Sequence, residues 1–271
     1  MVVTQILICT GIAALLVGLV GLLLGFFLGI SGEKLKVEVD EREEAVLAAL
    51  PGNNCGGCGY AGCSGLAAAI VKGEAPCNQC PVGGNEVAKQ VAAIMGETVE
   101  EGERQVAFVM CSGDFDKAKQ DYIYTGLEDC RAMPFTPNGG PWSCNHSCLG
   151  FGSCVKACPF HAIMVENGVA HVNKEQCKAC GKCIAVCPQH LIEFIPYDAK
   201  EAVRCSNQSK GKEVMAVCSV GCIACHLCEK NCEANAITVT NNIAHIDQSK
   251  CTHCGTCVEK CPKKIISMLD V

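Results

Sequence analysis

Cys177-Lys-Ala-Cys180-Gly-Lys-Cys183-Ile-Ala-Val-Cys187-Pro188 is the stretch on which the fold turns. Four thiols fall within eleven residues, spaced C-x2-C-x2-C-x3-C and closed by proline. Spacing this tight suits a shared inorganic centre better than disulfide pairing, which needs opposed Cβ vectors. Zinc sites seldom crowd four cysteines so closely and end them in Cys-Pro. The same run returns as Cys251-x2-Cys254-x2-Cys257-x3-Cys261-Pro262.

The return is part of a longer repeat with a constant offset of 74 residues. Cys144, Cys148, Cys154 and Cys158 recur as Cys218, Cys222, Cys228 and Cys232, and Asn167-Gly-Val-Ala-His171-Val matches Asn241-Asn-Ile-Ala-His245-Ile. No gap is needed, so the C-terminal half is a duplication. Each copy carries two cysteine runs, the bacterial ferredoxin pattern, in which three thiolates of one run and the last of the other share a cubane. Crossed ligation gives Cys158 with Cys177, Cys180 and Cys183. It gives Cys222, Cys225 and Cys228 with Cys261, and Cys232 with Cys251, Cys254 and Cys257.

The first copy departs at one position, where Phe151 stands in place of Cys225. The set Cys148, Cys154 and Cys187 then either stays at three thiolates or borrows Cys144. Borrowing is the cheaper solution, because an open iron is labile and Gly150 and Gly152 leave room for a rearranged loop. Cys218-Ser-Val-Gly-Cys222-Ile-Ala-Cys225 also spells the C-x3-C-x2-C of radical enzymes, but too little chain follows for the barrel they need. His146 and His226 lie inside cysteine runs, where imidazole rarely replaces thiolate.

Composition agrees. The chain has 271 residues, of which 26 are cysteine and only 5% aromatic. Without the cysteines the apolar fraction falls to roughly 39%, thin for an ordinary single core. A net charge of −6 argues against a nucleic-acid surface. Either a disulfide array or a multi-centre metalloprotein fits these figures.

The N-terminus decides between them. Met1 to Gly32 carries no charge, and Gln5 to Ile30 is almost wholly apolar. About 26 such residues span a bilayer core, and the lack of a basic n-region argues for an uncleaved anchor rather than a signal peptide. Lys34, Lys36 and Arg42 follow the apolar run, which places the body in the cytoplasm, where stable disulfides are rare. Gly21, Gly25 and Gly29 smooth one helix face. Cys9, within the span, reads as an apolar filler.

Between anchor and repeat lies a smaller module. Val37 to Leu50 reads as a short helix ended by Pro51-Gly52. Cys55-Gly-Gly-Cys58-Gly-Tyr-Ala-Gly-Cys63 follows, then a helical stretch from Leu66 to Lys72 and Cys80-Pro81. Cys55, Cys58, Cys63 and Cys80 form the candidate set; Cys77 competes for the fourth place, but Pro81 and Gly83-Gly84 give Cys80 the rigid turn. Gly57 to Gly62 matches the G-x-G-x-x-G of dinucleotide sites, but no strand precedes it. Cys111, Cys130, Cys205 and Cys218 remain, either as buried thiols or as ligands of a sixth cluster.

On these motifs, from the anchor through Cys55–Cys63 and the distant Cys80 to the ferredoxin runs, the chain resembles the B subunits of Rnf complexes, membrane-bound ion-translocating ferredoxin:NAD+ oxidoreductases. The stretch Cys148-Leu-Gly-Phe-Gly-Ser-Cys154-Val-Lys-Ala-Cys158-Pro-Phe resembles the longer variants from anaerobes. The resemblance implies an electron-transfer subunit that takes electrons from reduced soluble ferredoxin and passes them to other Rnf subunits. NAD+ reduction and ion movement would belong to those subunits. It further implies a single-pass protein of the bacterial or archaeal cell membrane, with its body in the cytoplasm. A membrane-tethered sensor lacks its signalling domain here, an assembly scaffold would need one labile site rather than a chain, and a dehydrogenase lacks a substrate motif.

The expected fold is α+β with five [4Fe-4S] clusters. It comprises a transmembrane helix (1–32), a helical four-cysteine module (33–100), a connecting segment (101–143) and two ferredoxin-like units (144–200 and 201–271).

Overall fold

The computed structural model describes residues 2–34 and 40–269. The chain divides into two compact units, residues 1–44 and 45–271. The first is dominated by α1 (Val2–Lys34), an unbroken helix of 33 residues with no acidic residue in its first turn. Leu15, Val17, Leu22, Phe26 and Phe27 on it are all exposed. Counting only the described residues, no helix is long and apolar enough to cross a membrane. Residues 35–39, the start of the expected helix over 37–50, lie outside the described residues.

Helix α2 (Glu41–Ala49) starts where Asp40 accepts the Arg42 N–H at 2.9 Å, and Glu41, Glu43 and Glu44 fill its first turn, facing the positive end of the helix dipole. Its buried Val46 packs with Leu66, Ala67 and Ile70 of α3 (Cys63–Val71) and Val91 and Ala92 of α4 (Gly84–Met95). Gly96 closes α4 at φ 73°, a left-handed cap that glycine adopts without a Cβ clash. The four-cysteine module is thus a small three-helix core.

The ferredoxin units are built from pairs of short strands. In the first, β1 (Gln105–Val109) pairs antiparallel with β4 (Ile192–Pro196), Val109 opposite Ile192. A hairpin joins β2 (Ile163–Glu166) to β3 (Val169–Val172). Helices α5 (Ser153–Ala157) and α6 (Lys182–Val186) carry the cysteine runs into the interior. The second unit repeats the plan: β5 (Glu201–Val203) pairs with β8 (Ile266–Met268), β6 (Ile237–Thr240) with β7 (Ile243–Ile246), and α8 (Leu227–Lys230) and α9 (Thr256–Lys260) take the place of α5 and α6. Helix α7 (Gly211–Val217) precedes Cys218.

The first ferredoxin unit therefore begins at β1, within residues 101–143, where only a connecting segment was expected. Cys111 stands 37 residues before Cys148, whereas Cys205 stands 17 before Cys222, so the first unit carries an insertion. That insertion buries Ala118, Met133 and Trp142 against Leu149. It also reaches the second ferredoxin unit: the Lys119 N–H donates to Val217 O at 2.8 Å and the Ser219 N–H to Lys117 O at 2.9 Å.

Candidate iron–sulfur sites

In the small module, Asn54 Oδ1 accepts the Cys63 N–H at 2.8 Å and Gln79 Nε2 donates to Cys58 O at 3.1 Å, tying the two cysteine segments together. Burial raises the Cys80 thiol pKa, the Val82 and Gly83 N–H groups aimed at its sulfur oppose this, and nearby Cys58 and Cys63 add to it. Cys77 faces away: it is buried in the helical core and its Sγ donates to Glu97 Oε2 at 3.4 Å. A Cβ on Gly57 would lie 2.7 Å from Cys180 O, so the module's first loop rests directly on the first ferredoxin run. Cys55 is among the charges acting on Cys180.

Cys158, Cys177, Cys180 and Cys183 form the second set. Burial pushes the Cys183 thiol up to about 12, with Cys177, Cys180 and Cys158 adding to it. Backbone N–H groups reach these sulfurs: Ala107 donates to Cys177 Sγ and Ala162 to Cys158 Sγ, each at 3.4 Å.

The third set corrects an expectation. Cys148, Cys154 and Cys187 line one cavity with Val109, Val165 and Ile192, and the fourth thiol in it belongs to Cys130, not Cys144. Cys154 is pushed up to about 12, first by burial and then by Cys148, Cys130 and Cys187. The loop that delivers Cys130 is locked. Ser153 Oγ accepts the Cys130 N–H at 2.9 Å and donates to Asp129 Oδ1 at 2.8 Å, and Asp129 pairs with Arg131 at 2.9 Å. Phe151 packs edge-on against Tyr124 of the same insertion, their centroids 5.6 Å apart. One insertion thus covers the phenyl ring and supplies the thiol that the ring displaced.

In the second unit Cys222, Cys225, Cys228 and Cys261 line a comparable cavity with Val239, Ala244 and Ile266. Cys232, Cys251, Cys254 and Cys257 form the last set; Cys257 is pushed up to about 11, by burial first and then by Glu201 and Cys251. The Glu201 side chain is fully buried and accepts from the Gly255 N–H at 3.1 Å, while His253 Nδ1 lies 2.9 Å from its other oxygen. Every cysteine from Cys55 to Cys261 is a free thiol. Cavities walled by four thiols and apolar side chains fit [4Fe-4S] clusters.

A helical four-cysteine module ahead of paired-strand ferredoxin units defines the class: an iron–sulfur electron carrier with several centres. Three family models match, a putative Fe-S cluster domain over residues 50–82, an LdpA Fe-S cluster-binding domain over 141–198 and a 4Fe-4S dicluster domain over 221–265. The B subunit of the ion-translocating oxidoreductase complex of Methanosarcina acetivorans is 47% identical over 94% of this chain and 96% of its own. The B subunit of the Na(+)-translocating ferredoxin:NAD(+) oxidoreductase complex of Acetobacterium woodii is 43% identical over 93% of this chain and 76% of its own. The proton-translocating counterpart of Clostridium ljungdahlii is 42% identical over 93% and 92%.

The chain belongs to the family of B subunits of ion-translocating oxidoreductase complexes, the Rnf complexes. It is an electron-transfer subunit of an oxidoreductase and carries Fe-S cluster domains.

Proposed function

We propose that this chain accepts electrons from reduced soluble ferredoxin and relays them, one at a time, to the other subunits of its membrane complex. The clusters, when bound, supply reversible one-electron storage. The protein's residues do the rest. Cys55, Cys58, Cys63 and Cys80 would hold one [4Fe-4S] cluster, Cys158, Cys177, Cys180 and Cys183 a second, and Cys130, Cys148, Cys154 and Cys187 a third. Cys222, Cys225, Cys228 and Cys261 would hold a fourth, and Cys232, Cys251, Cys254 and Cys257 a fifth. The observation that carries this reading is the contact of Gly57 with Cys180, which abuts the small module's cysteine loop on the first ferredoxin run. Val109, Val165 and Ile192 line the third set and Val239 and Ile266 the fourth, which limits the access of water to the sulfurs.

Helix α1 would fix the carrier to the lipid bilayer of a bacterial or archaeal cell as a single span. What supports a span is the sequence, in which the uncharged, almost wholly apolar run from Gln5 to Ile30 has about the length that a hydrocarbon core of about 30 Å requires. The basic residues that follow it favour a cytoplasmic body. Full-length protein purified anaerobically in detergent should be reduced by reduced ferredoxin, with bleaching of the cluster absorbance. Deletion of residues 1–32 should release a brown, soluble protein that reduced ferredoxin still reduces. Zinc as the main metal, or no reduction of either form by ferredoxin, would end this reading.

A further inference from the structure

Apart from Cys9 in α1 and Cys77 in the helical core, four cysteines stand outside the five sets. We propose that Cys111, Cys144, Cys205 and Cys218 together hold a sixth [4Fe-4S] cluster, seated at the junction of the two ferredoxin units. The proposal rests on the electron-carrier reading and adds a site to it.

The four thiols converge from distant parts of the chain. A Cβ built on Gly113 would meet Cys218 Sγ at 3.3 Å and Cys111 Sγ at 3.9 Å, so both sulfurs border one small space. Cys144 is among the charges acting on Cys111, on Cys205 and on Cys218. All four are largely shielded from solvent: Cys111 and Cys144 are buried, and Cys205 and Cys218 are half-buried. Four thiols gathered in such a place offer a complete ligand set for one metal centre.

Their hydrogen bonding matches that seen in three of the five sets. Cys148, Cys180 and Cys251 each receive the backbone N–H two residues further on, from Gly150, Lys182 and His253. Cys111, Cys205 and Cys218 receive theirs from Gly113, Asn207 and Val220. The Cys148 N–H also donates to Cys111 Sγ at 3.4 Å, and the Cys222 N–H to Cys205 Sγ at 3.3 Å. Cys144 is served by a side chain: Asn207, only 4% exposed, donates Nδ2 to its sulfur at 3.3 Å. A buried amide spent on a sulfur points to a thiolate there, since a neutral thiol is a weak acceptor.

The set is symmetric about the duplication. Cys111 stands two residues beyond β1 and Cys205 two beyond β5, while Cys144 and Cys218 are repeat mates. Each copy contributes two ligands, and neither completes the site alone. Through the hydrogen bonds to Cys111 and Cys205, the site adjoins the Cys148 set on one side and the Cys222 set on the other. Redox-inert zinc would interrupt the path there, whereas a cluster would join the two halves.

The test is iron and acid-labile sulfide per chain in the full-length protein purified anaerobically, with zinc measured alongside. Six clusters require about 24 irons. Cys111→Ser and Cys205→Ser should each lower that to about 20 and remove the same cluster signal from the EPR spectrum, while Cys77→Ser leaves both unchanged. Asn207→Leu keeps every ligand and should shift the midpoint potential of that one signal only. Wild-type iron near 20, or one zinc per chain lost with Cys205→Ser, overturns the sixth cluster and leaves the five-set carrier standing. If a serine variant fails to fold, the wild-type count and Asn207→Leu decide.

Discussion

At the scale of the residue, the instructive position is Phe151. The repeat shows that a ligand is missing there, and sequence distance favours Cys144 as its substitute. The thiol that arrives is Cys130, 23 residues before Ser153, whose hydroxyl accepts the Cys130 N–H. Nothing in the spacing announces it, because Cys130 lies in the insertion and has no mate at the repeat offset. A usable signal lies in the side chains: Asp129-Cys130-Arg131 is an acid and a base flanking a cysteine, and those two charges close the turn. Cys130→Ser should cost about four irons, lost from a different signal than in Cys144→Ser. Ser153→Ala leaves the Cys130 N–H without its acceptor, so the variant should be destabilised by about 1–3 kcal/mol in chemical denaturation. A Ser153→Ala variant with wild-type stability and iron would show that the hydroxyl does not hold the loop.

At the scale of the element, the cysteine-bearing helices and the hairpins are legible in the sequence because the duplication keeps their spacing. Thus α5 and α8, and α6 and α9, lie one repeat apart, as do β2 and β6. The opening strands are not. β5 has three residues, and β1 precedes an insertion that shifts it off the repeat, so neither periodicity nor offset marks them. Their pairing with β4 and β8 is set by tertiary contact. The loop of the small module offers a sharp test of element placement. Gly57→Ala puts a methyl group 2.7 Å from a backbone oxygen that has no free rotation to yield. Overpacking of this kind should cost about 1–3 kcal/mol and push the module away from the ferredoxin unit. The variant should keep its full iron content but pass electrons between these two clusters more slowly in rapid-mixing experiments. An unchanged rate would separate the contact from the relay.

At the scale of the whole molecule, the described part of residues 45–271 contains four sheets of only two strands each. Paired strands this small are marginal by themselves, and the cysteines occupy much of what would be core. Metal ligation therefore substitutes for hydrophobic packing, in keeping with the scarcity of aromatic residues. Anaerobic removal of iron with a strong chelator should abolish the cooperative thermal transition of residues 45–271, read by far-UV circular dichroism. The helical module should outlast the ferredoxin units, since Leu66, Ile70, Val46 and Val91 give it a core of its own. Survival of the full transition without iron would show that the polypeptide packs unaided.

The crossed distribution of thiols within each ferredoxin unit bears on how the protein would meet oxygen. Cys187 closes the cavity of Cys148 and Cys154 from the end of the other run, and Cys261 does the same for Cys222. With clusters bound as proposed, each unit would be laced like a boot, each run gripping the other's centre. Cys225 and Cys254, at the solvent edge of the second ferredoxin unit, are the first places an oxidant would reach. Destroying either cluster would free one end of the segment that grips its neighbour, so injury would travel in pairs and repair would have to rebuild both.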